Sequence, residues 1–160
     1  MDSPANRRRI RICLAASAGG HLLQLLKLEP AWRDARKFFL TTGDVVAAEL
    51  RERYDSPVYL AVECNRYQPL RLLRSSLRSL AAMLREKPDV ILSTGAASGC
   101  IACLLGKLAG AKVVWVDSIA NVDRLSLSGR IVLLFADLFV VQWPHLATGG
   151  RGIEFHGQLI

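Results

Sequence analysis

Two glycine-containing loops carry the residues with the clearest potential for chemistry. The first spans residues 16–21 (ASAGGH) and the second spans residues 93–99 (STGAASG). Glycine permits positive φ and lets the backbone approach a ligand closely. The free N–H groups of a helix that begins after such a loop attract anions, usually phosphate. The loops therefore predict a phosphate-binding region; the alternative is two tight strand-to-helix turns that bind nothing.

Neither loop is a standard nucleotide-binding motif. Gly-x-Gly-x-x-Gly and Gly-x-x-x-x-Gly-Lys-Ser/Thr are both absent from the chain. Asp44 lies where a ribose-binding acid would be expected, but the glycine pattern disfavours NAD. His21 follows the first two glycines, where an imidazole can hydrogen-bond a phosphate or act as a general base near neutral pH. The alternative for His21 is a solvated residue at the start of a helix.

The elements that must position these loops follow from hydrophobic periodicity. Strands are predicted at 9–16, 37–42, 58–62, 90–94, 112–117, 138–142 and 153–156, and helices at 21–32, 45–54, 69–86, 97–109 and 125–135. Runs such as 113–116 are continuously apolar, which indicates burial on both faces. The pattern predicts one α/β domain over residues 1–160, with a doubly wound, mostly parallel, Rossmann-like sheet and a flexible segment 1–8. Ligands are expected at the carboxyl ends of its strands.

Length and composition limit the classes of function. The 160 residues suffice for one such domain and are too few for two. Apolar residues make up 51% of the chain, which excludes a disordered protein. The net charge of +7 arises in residues 1–87, which suits an anionic partner. No apolar stretch reaches the roughly 20 residues of a spanning helix, and the cysteines indicate a reducing, cytosolic setting.

Five segments occur in an order that resembles a known family. They are residues 16–22 (ASAGGHL), 93–99 (STGAASG), 115–120 (WVDSIA), 124–130 (RLSLSGR) and 136–144 (ADLFVVQWP), of which the last two are the most specific. The chain resembles the acceptor-side, membrane-associated subunit of two-component GT-B glycosyltransferases. That group includes the anchor subunit of the eukaryotic dolichol-linked N-acetylglucosamine transferase and bacterial PssD/CpsF-type exopolysaccharide and capsule proteins. The missing N-terminal membrane helix favours a bacterial-type member.

The resemblance implies a division of labour between two chains. This chain would be the N-terminal half of a GT-B enzyme and bind a polyprenyl-diphosphate-linked sugar acceptor. A companion subunit would hold most of the UDP-sugar, with UDP as the leaving group. No cofactor, metal or nucleic acid is expected. The expected location is cytoplasmic, peripheral on the inner face of the plasma membrane.

The resemblance also suggests roles for individual residues. Those assigned to acceptor or phosphate binding are Gly19, Gly20, Thr94, Gly95, Ser98, Gly99 and Arg124. His21 and Asp117 are the candidate catalytic bases, and His21 ranks first. The alternative for Asp117 is a helix N-cap or turn residue. The alternative for Arg124 is an ion pair with Asp123 at the surface.

The helix predicted at 69–86 carries an arginine stripe beside a leucine stripe. At 100° per residue, one sector of about 60° holds Arg71, Arg74, Arg78 and Arg85. An adjacent sector holds Leu73, Leu77, Leu80 and Leu84. Such a helix can lie at an anionic membrane surface. The alternative is an ordinary covering helix, with its leucines on the sheet and its arginines in water.

Two functions compete with that of an acceptor-binding transferase subunit. One is a non-catalytic tether that stimulates a partner, and the other is an unrelated Rossmann-type nucleotide-binding enzyme. A pure tether would tolerate the loss of His21 and Asp117, whereas titration with UDP, NAD and ATP tests the second rival. Cys100 and Cys103 are predicted to be small buried helix residues, because the second cysteine pair of a zinc site is missing.

Overall fold

One parallel sheet organises the chain. The computed structural model describes residues 9–62, 67–147 and 152–159, and its seven strands lie in the order β3-β2-β1-β4-β5-β6-β7. The strands are β1 (Arg11–Ala15), β2 (Arg36–Thr41), β3 (Val58–Leu60), β4 (Val90–Ser93), β5 (Lys112–Val116), β6 (Leu138–Val141) and β7 (Ile153–Phe155). All six strand pairs are parallel, which confirms the predicted doubly wound α/β class.

Within the described ranges, six α-helices connect the strands. They are α1 (Gly20–Lys27), α2 (Glu29–Trp32), α3 (Asp44–Tyr54), α4 (Pro69–Glu86), α5 (Ala96–Leu108) and α6 (Leu127–Val132). The predicted helix 21–32 is two helices, with the break at Leu28 just before Pro30, whose missing N–H suits only the first turn of a helix. Helix α6 is shorter than predicted, and a 3₁₀ turn (Pro144–Leu146) was not predicted. Residues 1–8, expected to be flexible, lie outside the described part.

The helices form two layers. Helices α4, α5 and α6 pack on one face of the sheet through buried residues that include Met83, Cys103 and Val132. Helices α1, α2 and α3 pack on the other face through Leu25, Trp32 and Leu50. On that second face the described elements leave a groove of about 430 Å³ over β4, β5 and β6. The two faces of the sheet are therefore covered unequally.

Helix α4 packs differently from an ordinary covering helix. Its buried side chains include the small residues Ser75, Ser79 and Ala82, and it lies against α5. The leucines at 70, 73, 77, 80 and 84 are all exposed. The alternative that placed the leucines on the sheet is therefore wrong, because small residues form the buried face of α4.

The sheet order also locates a crevice. The chain proceeds outward from β1 through β2 and β3, then returns to place β4 on the other side of β1. Ligands of open parallel sheets bind at such a reversal, outside the carboxyl ends of the strands. The two glycine loops follow β1 and β4 and so lie on either side of this reversal. No helix in the described part of the chain is long and apolar enough to cross a membrane.

Candidate active site

The first glycine loop is open to solvent at its glycines. Gly19 has φ +95°, and no atom lies within 4 Å of a Cβ built on Gly19 or Gly20. Helix α1 begins directly after Gly19 without a side-chain cap. Thr42, which the sequence did not single out, holds the loop by accepting a 3.0 Å hydrogen bond from the Ala18 N–H. The loop thus presents uncapped helix N–H groups beside empty space, which suits an anion.

His21 joins the two loops to each other. Its Nδ1 lies 2.9 Å from the carbonyl oxygen of Thr94, and the Thr94 hydroxyl donates a 2.6 Å hydrogen bond to the carbonyl of His21. Since a carbonyl only accepts, Nδ1 carries the hydrogen of the first bond. A neutral ring then presents Nε2 as a free acceptor. His21 is half-buried, which corrects the alternative of a merely solvated helix-start residue.

Gly95 makes room for the His21 ring. Its φ is +139°, and a Cβ at this position would overlap the imidazole. The next residue, Ala96, also has positive φ, at 66°, an unfavourable conformation for a residue with a side chain. The second loop is therefore shaped around His21.

The remaining predicted residues of the second loop differ in whether they have a polar group free to bind a ligand. The Ser98 hydroxyl is buried and has no hydrogen-bond partner among the described residues. A Cβ on Gly99 would overlap the Ser93 hydroxyl, so Gly99 allows α5 to approach β4 closely. The hydroxyl of Thr94 is already engaged with His21. Ser98 is thus the group in this loop with an unmet hydrogen bond, whereas the contacts of Gly99 are packing contacts.

Asp117 is buried, and both of its carboxylate oxygens accept hydrogen bonds. Its Oδ1 accepts hydrogen bonds from Trp115 Nε1 at 3.1 Å and Ser126 Oγ at 2.7 Å. Its Oδ2 accepts from the Ser126 N–H at 3.0 Å and from Asn121 Nδ2 at 3.3 Å. These contacts correspond to the turn residue that was the alternative to a base. Asp117 fixes the loop between β5 and α6.

The contacts of that loop give a structural role to the segment Leu-Ser-Leu-Ser-Gly (residues 125–129). Ser126 is the N-cap of α6 and accepts a 2.8 Å hydrogen bond from the Gly129 N–H. A Cβ on Gly129 would lie 2.8 Å from both Asp117 Oδ1 and Ser126 Oγ. Glycine at 129 therefore lets the first turn of α6 close over the carboxylate.

Two buried glutamines were missed by the sequence analysis. Gln142 Nε2 donates to Gln24 Oε1 at 2.6 Å and to the carbonyl of Asp117 at 2.9 Å. Gln24 in turn donates to Ser118 Oγ and accepts from the Ile119 N–H. The pair joins α1, which carries His21, to the loop after β5. The sequence signal was a glutamine inside the leucine run of α1.

Among the described residues, none of the predicted arginines takes part in the hydrogen bonds between His21 and Thr94. Arg124 forms no ion pair with Asp123, and it lines an open groove of about 860 Å³ together with Arg130 and three leucines. Arg71, Arg74, Arg78 and Arg85 are exposed on α4. The structure thus brings His21, Thr94 and Gly95 into contact, and it places the α4 arginines on the outer surface of their layer.

The three cysteines within the described residues are not suited to catalysis. Cys13 and Cys103 are buried, and burial raises the pKa of both thiols. Burial also raises the pKa of Cys100 to about 11. These thiols are therefore protonated at neutral pH and poor nucleophiles. Among the described residues, no cluster of His, Cys, Asp and Glu has a composition that would hold a metal ion.

Solved structures of other proteins share the fold of this chain. The chain superposes on Acinetobacter baumannii MurG with a TM-score of 0.73 and 15% identity, covering 91% of this chain and 45% of that one. It superposes on UDP-N-acetylglucosamine 2-epimerase from Rickettsia bellii with a TM-score of 0.70 and 14% identity, covering 95% and 46%. The fold is that of the Rossmann-like N-terminal domain of a GT-B glycosyltransferase.

The sequence then gives the family. The model of the family described as "Oligosaccharide biosynthesis protein Alg14 like" matches residues 64–159, and the chain belongs to this family. The chain is 30% identical to the mouse UDP-N-acetylglucosamine transferase subunit ALG14, over 88% of this chain and 78% of that one. It is 48% identical to the Schizosaccharomyces pombe subunit alg14 over 75 residues, 44% of this chain. That match spans 36% of the S. pombe protein, and the chain spans less than half of MurG.

Proposed function

We propose that this chain is the acceptor-binding, membrane-associating subunit of a two-component UDP-sugar glycosyltransferase. Its acceptor would be a sugar carried on a polyprenyl diphosphate. The observation that carries the proposal is the His21–Thr94 contact, which couples two uncapped helix starts at the reversal point of the sheet. The names of the relatives support transfer from UDP-N-acetylglucosamine.

The diphosphate of the acceptor would lie against the start of α1. The space around Gly19 and Gly20 is empty, and the N–H groups of the first turn point to it without a side-chain cap. Helix α5 adds a second uncapped N-terminus after Gly95. Positive ends of two helix dipoles favour a group of negative charge. The unpartnered Ser98 hydroxyl would add a donor from the same loop.

His21 is the proposed general base. The acceptor hydroxyl oxygen would form a bond to the anomeric carbon of the donor, the bond from that carbon to UDP would break, and Nε2 would take the hydroxyl proton. The Thr94 carbonyl holds Nδ1–H and so leaves Nε2 as the acceptor. We assign Asp117 to loop positioning, since its oxygens already accept four hydrogen bonds.

A companion chain would supply the donor half. The fold matches less than half of MurG and of the epimerase, whose chains are more than twice the aligned length. An open edge with only an acceptor half cannot enclose a UDP-sugar. We further propose that the chain belongs to the bacterial PssD/CpsF-type branch and acts at the inner face of the plasma membrane. The lipid-linked acceptor that the reconstituted pair uses tests it.

The test is a set of His21 variants assayed with the companion chain. His21→Asn places an amide near the position of Nδ1, so it can keep the Thr94 contact while losing Nε2. His21→Gln places an amide near the position of Nε2, where it can still donate to a phosphate. We expect His21→Asn to lower turnover by roughly 10²-fold or more if Nε2 is the base.

The controls separate chemistry from folding. His156→Ala changes an exposed histidine that contacts Glu154, and it should leave turnover unchanged. Thermal melts of each variant report whether the loop contact survives. If His21→Gln keeps the turnover that His21→Asn loses, His21 acts by hydrogen bonding and not as a base. Undiminished turnover of both variants would remove His21 from the site and support the tether.

A further inference from the structure

Helix α1, which carries His21, has few directional side-chain contacts to fix its rotation. It has eight residues, it begins within the glycine pair at 19 and 20, and no side chain caps its start. Two of its three buried residues, Leu22 and Leu25, make apolar contacts, which are not directional. Hydrogen bonds restrict angles as well as distances, so polar contacts define the orientation of a helix more narrowly. The position of the His21 ring therefore depends on the polar contacts of α1.

Gln24 gives α1 a buried polar contact on the same face as His21. Residues three apart on a helix lie about 60° apart around its axis, so the two side chains point the same way. Gln24 is 8% exposed, and its Nε2 donates to Ser118 Oγ at 3.1 Å. Its Oε1 accepts from the Ile119 N–H at 3.1 Å. Helix α1 is thus held by His21 at the loop after β4 and by Gln24 at the loop after β5.

Gln142 fixes the amide of Gln24 from the end of β6. It is 2% exposed, and its Nε2 donates to Gln24 Oε1 at 2.6 Å and to the Asp117 carbonyl at 2.9 Å. Its Oε1 accepts from the Leu159 N–H at 2.8 Å. A backbone carbonyl only accepts and a backbone N–H only donates, so these contacts define which end of the Gln142 amide is nitrogen. Gln24 can therefore meet Gln142 only through its Oε1.

We propose that Gln24 and Gln142 are positioning residues that set the rotation of α1 and so hold the His21 ring against Thr94. Two apolar side chains could fill the same volume without the cost of burying two amides. The hydrogen-bonded pair adds a defined direction, because it connects the loops after β5 and β6 to one face of α1. The pair acts on transfer through His21, so this role rests on the proposed function.

The consequence of losing the pair would appear in the His21 ring. A rotation of α1 would lengthen the 2.9 Å contact between His21 Nδ1 and the Thr94 carbonyl. The ring would then no longer be held in the Nδ1–H form, and the fraction with hydrogen on Nε2 would rise. A neutral ring with hydrogen on Nε2 cannot take the acceptor hydroxyl proton at that atom. The expected signature is therefore a change in the tautomer of His21.

The first test measures this tautomer without any transfer reaction. Nitrogen-15 spectra of the labelled chain distinguish the two neutral forms of an imidazole under alkaline conditions, and the chain has three histidines to assign. We expect Gln24→Met and Gln142→Met, which keep most of the side-chain volume, to shift His21 from the Nδ1–H form to a mixture. The matched control is Gln68→Met at the start of α4, where the glutamine makes no capping hydrogen bond. It should leave the His21 signals unchanged.

The second test is a double-mutant cycle on the turnover of the reconstituted pair of chains. We expect Gln142→Met to lower kcat roughly tenfold with little change in KM, because rotation moves the ring and leaves the helix start in place. In the His21→Asn background the same change should have almost no further effect, since it acts through the ring. A glutamine that only stabilised the fold would lower turnover by the same factor in both backgrounds.

Glutamate variants keep the test decisive if a methionine variant does not fold. Gln24→Glu retains Oε1, which accepts from the Ile119 N–H and from Gln142. Gln142→Glu loses the nitrogen that donates to the Asp117 carbonyl and to Gln24. We expect Gln24→Glu to keep the Nδ1–H form of His21 and Gln142→Glu to lose it. Thermal melts report the folded fraction of each variant.

The outcomes distinguish this role from the proposed function. An unchanged His21 tautomer in the folded Gln142 variants would overturn the positioning role, and so would an equal loss of turnover in both backgrounds. Undiminished turnover of His21→Asn would instead refute His21 as the base. In that case the tautomer spectra would still decide whether the two glutamines position the ring.

Discussion

The two polar regions at the carboxyl edge of the sheet differ in how far their groups are already engaged. Around Asp117, both carboxylate oxygens have donors and glycine at 129 closes the helix over them. Around Gly19 and Gly20, the helix start is uncapped and the space is empty. The difference indicates which residues maintain the loop structure and which remain available to a ligand. A buried acid at a strand end is therefore a weak indicator of catalysis unless one oxygen is free.

The largest loss of stability is expected from Asp117→Ala. The change leaves Trp115 Nε1 and both donors of Ser126 without an acceptor in a buried loop. We expect a loss on the order of 3 kcal/mol in the free energy of unfolding, measured by urea denaturation. Asp123→Ala, at an exposed position nearby, should change it little. If Asp117→Asn instead abolished turnover while the folded fraction stayed full, Asp117 would have to be considered as the base.

Two glycine variants test the difference between the loop at Asp117 and the loop at Gly19 and Gly20. Gly129→Ala places a methyl group 2.8 Å from Asp117 Oδ1, and we expect a cost of about 1–3 kcal/mol. Gly20→Ala meets no atom within 4 Å and should preserve or slightly raise stability. With the companion chain, however, Gly20→Ala should lower turnover by roughly tenfold, because its methyl group occupies the acceptor space. Full turnover of Gly20→Ala would show that the space is not used.

The smallest expected change in stability comes from a substitution at the opposite, amino-terminal edge of the sheet. Hydrogen bonds from Lys107, the Val113 N–H and Lys112 hold the pKa of Asp137 well below its usual range. A carboxyl with a lowered pKa stabilises the folded state above its unfolded pKa of about 4, and this contribution is lost as pH falls further. Asp137→Asn should therefore flatten the fall in stability below about pH 4. Turnover should not change; a changed turnover would place this edge in the site.

Local patterns predicted most of the fold. Helix α4 matches its predicted bounds, because Pro69 suits a helix start and Lys87 adopts a left-handed conformation at the end. The alternative that placed the α4 leucines on the sheet was wrong. The buried face of α4 contains the small residues Ser75 and Ser79, and the helix lies against α5.

The contacts of the site could be predicted only in part. The glycine loops follow two predicted strands, so the sequence placed both loops and His21 at one edge of the sheet. The contact of His21 with Thr94 joins residues 73 positions apart, and that of Gln24 with Gln142 joins residues 118 apart. Such contacts depend on the register of the sheet and the rotation of α1, which no local pattern determines. The same applies to the four hydrogen bonds of Asp117.

The central claim is that this chain provides the acceptor half of a two-chain transferase. The direct measurement is sugar transfer from UDP-N-acetylglucosamine to a polyprenyl-diphosphate-linked sugar, by this chain alone and with a companion that carries the donor half. We predict no transfer by the chain alone and transfer by the pair, with loss of transfer in the His21→Asn pair. Robust turnover by the chain alone would contradict the account.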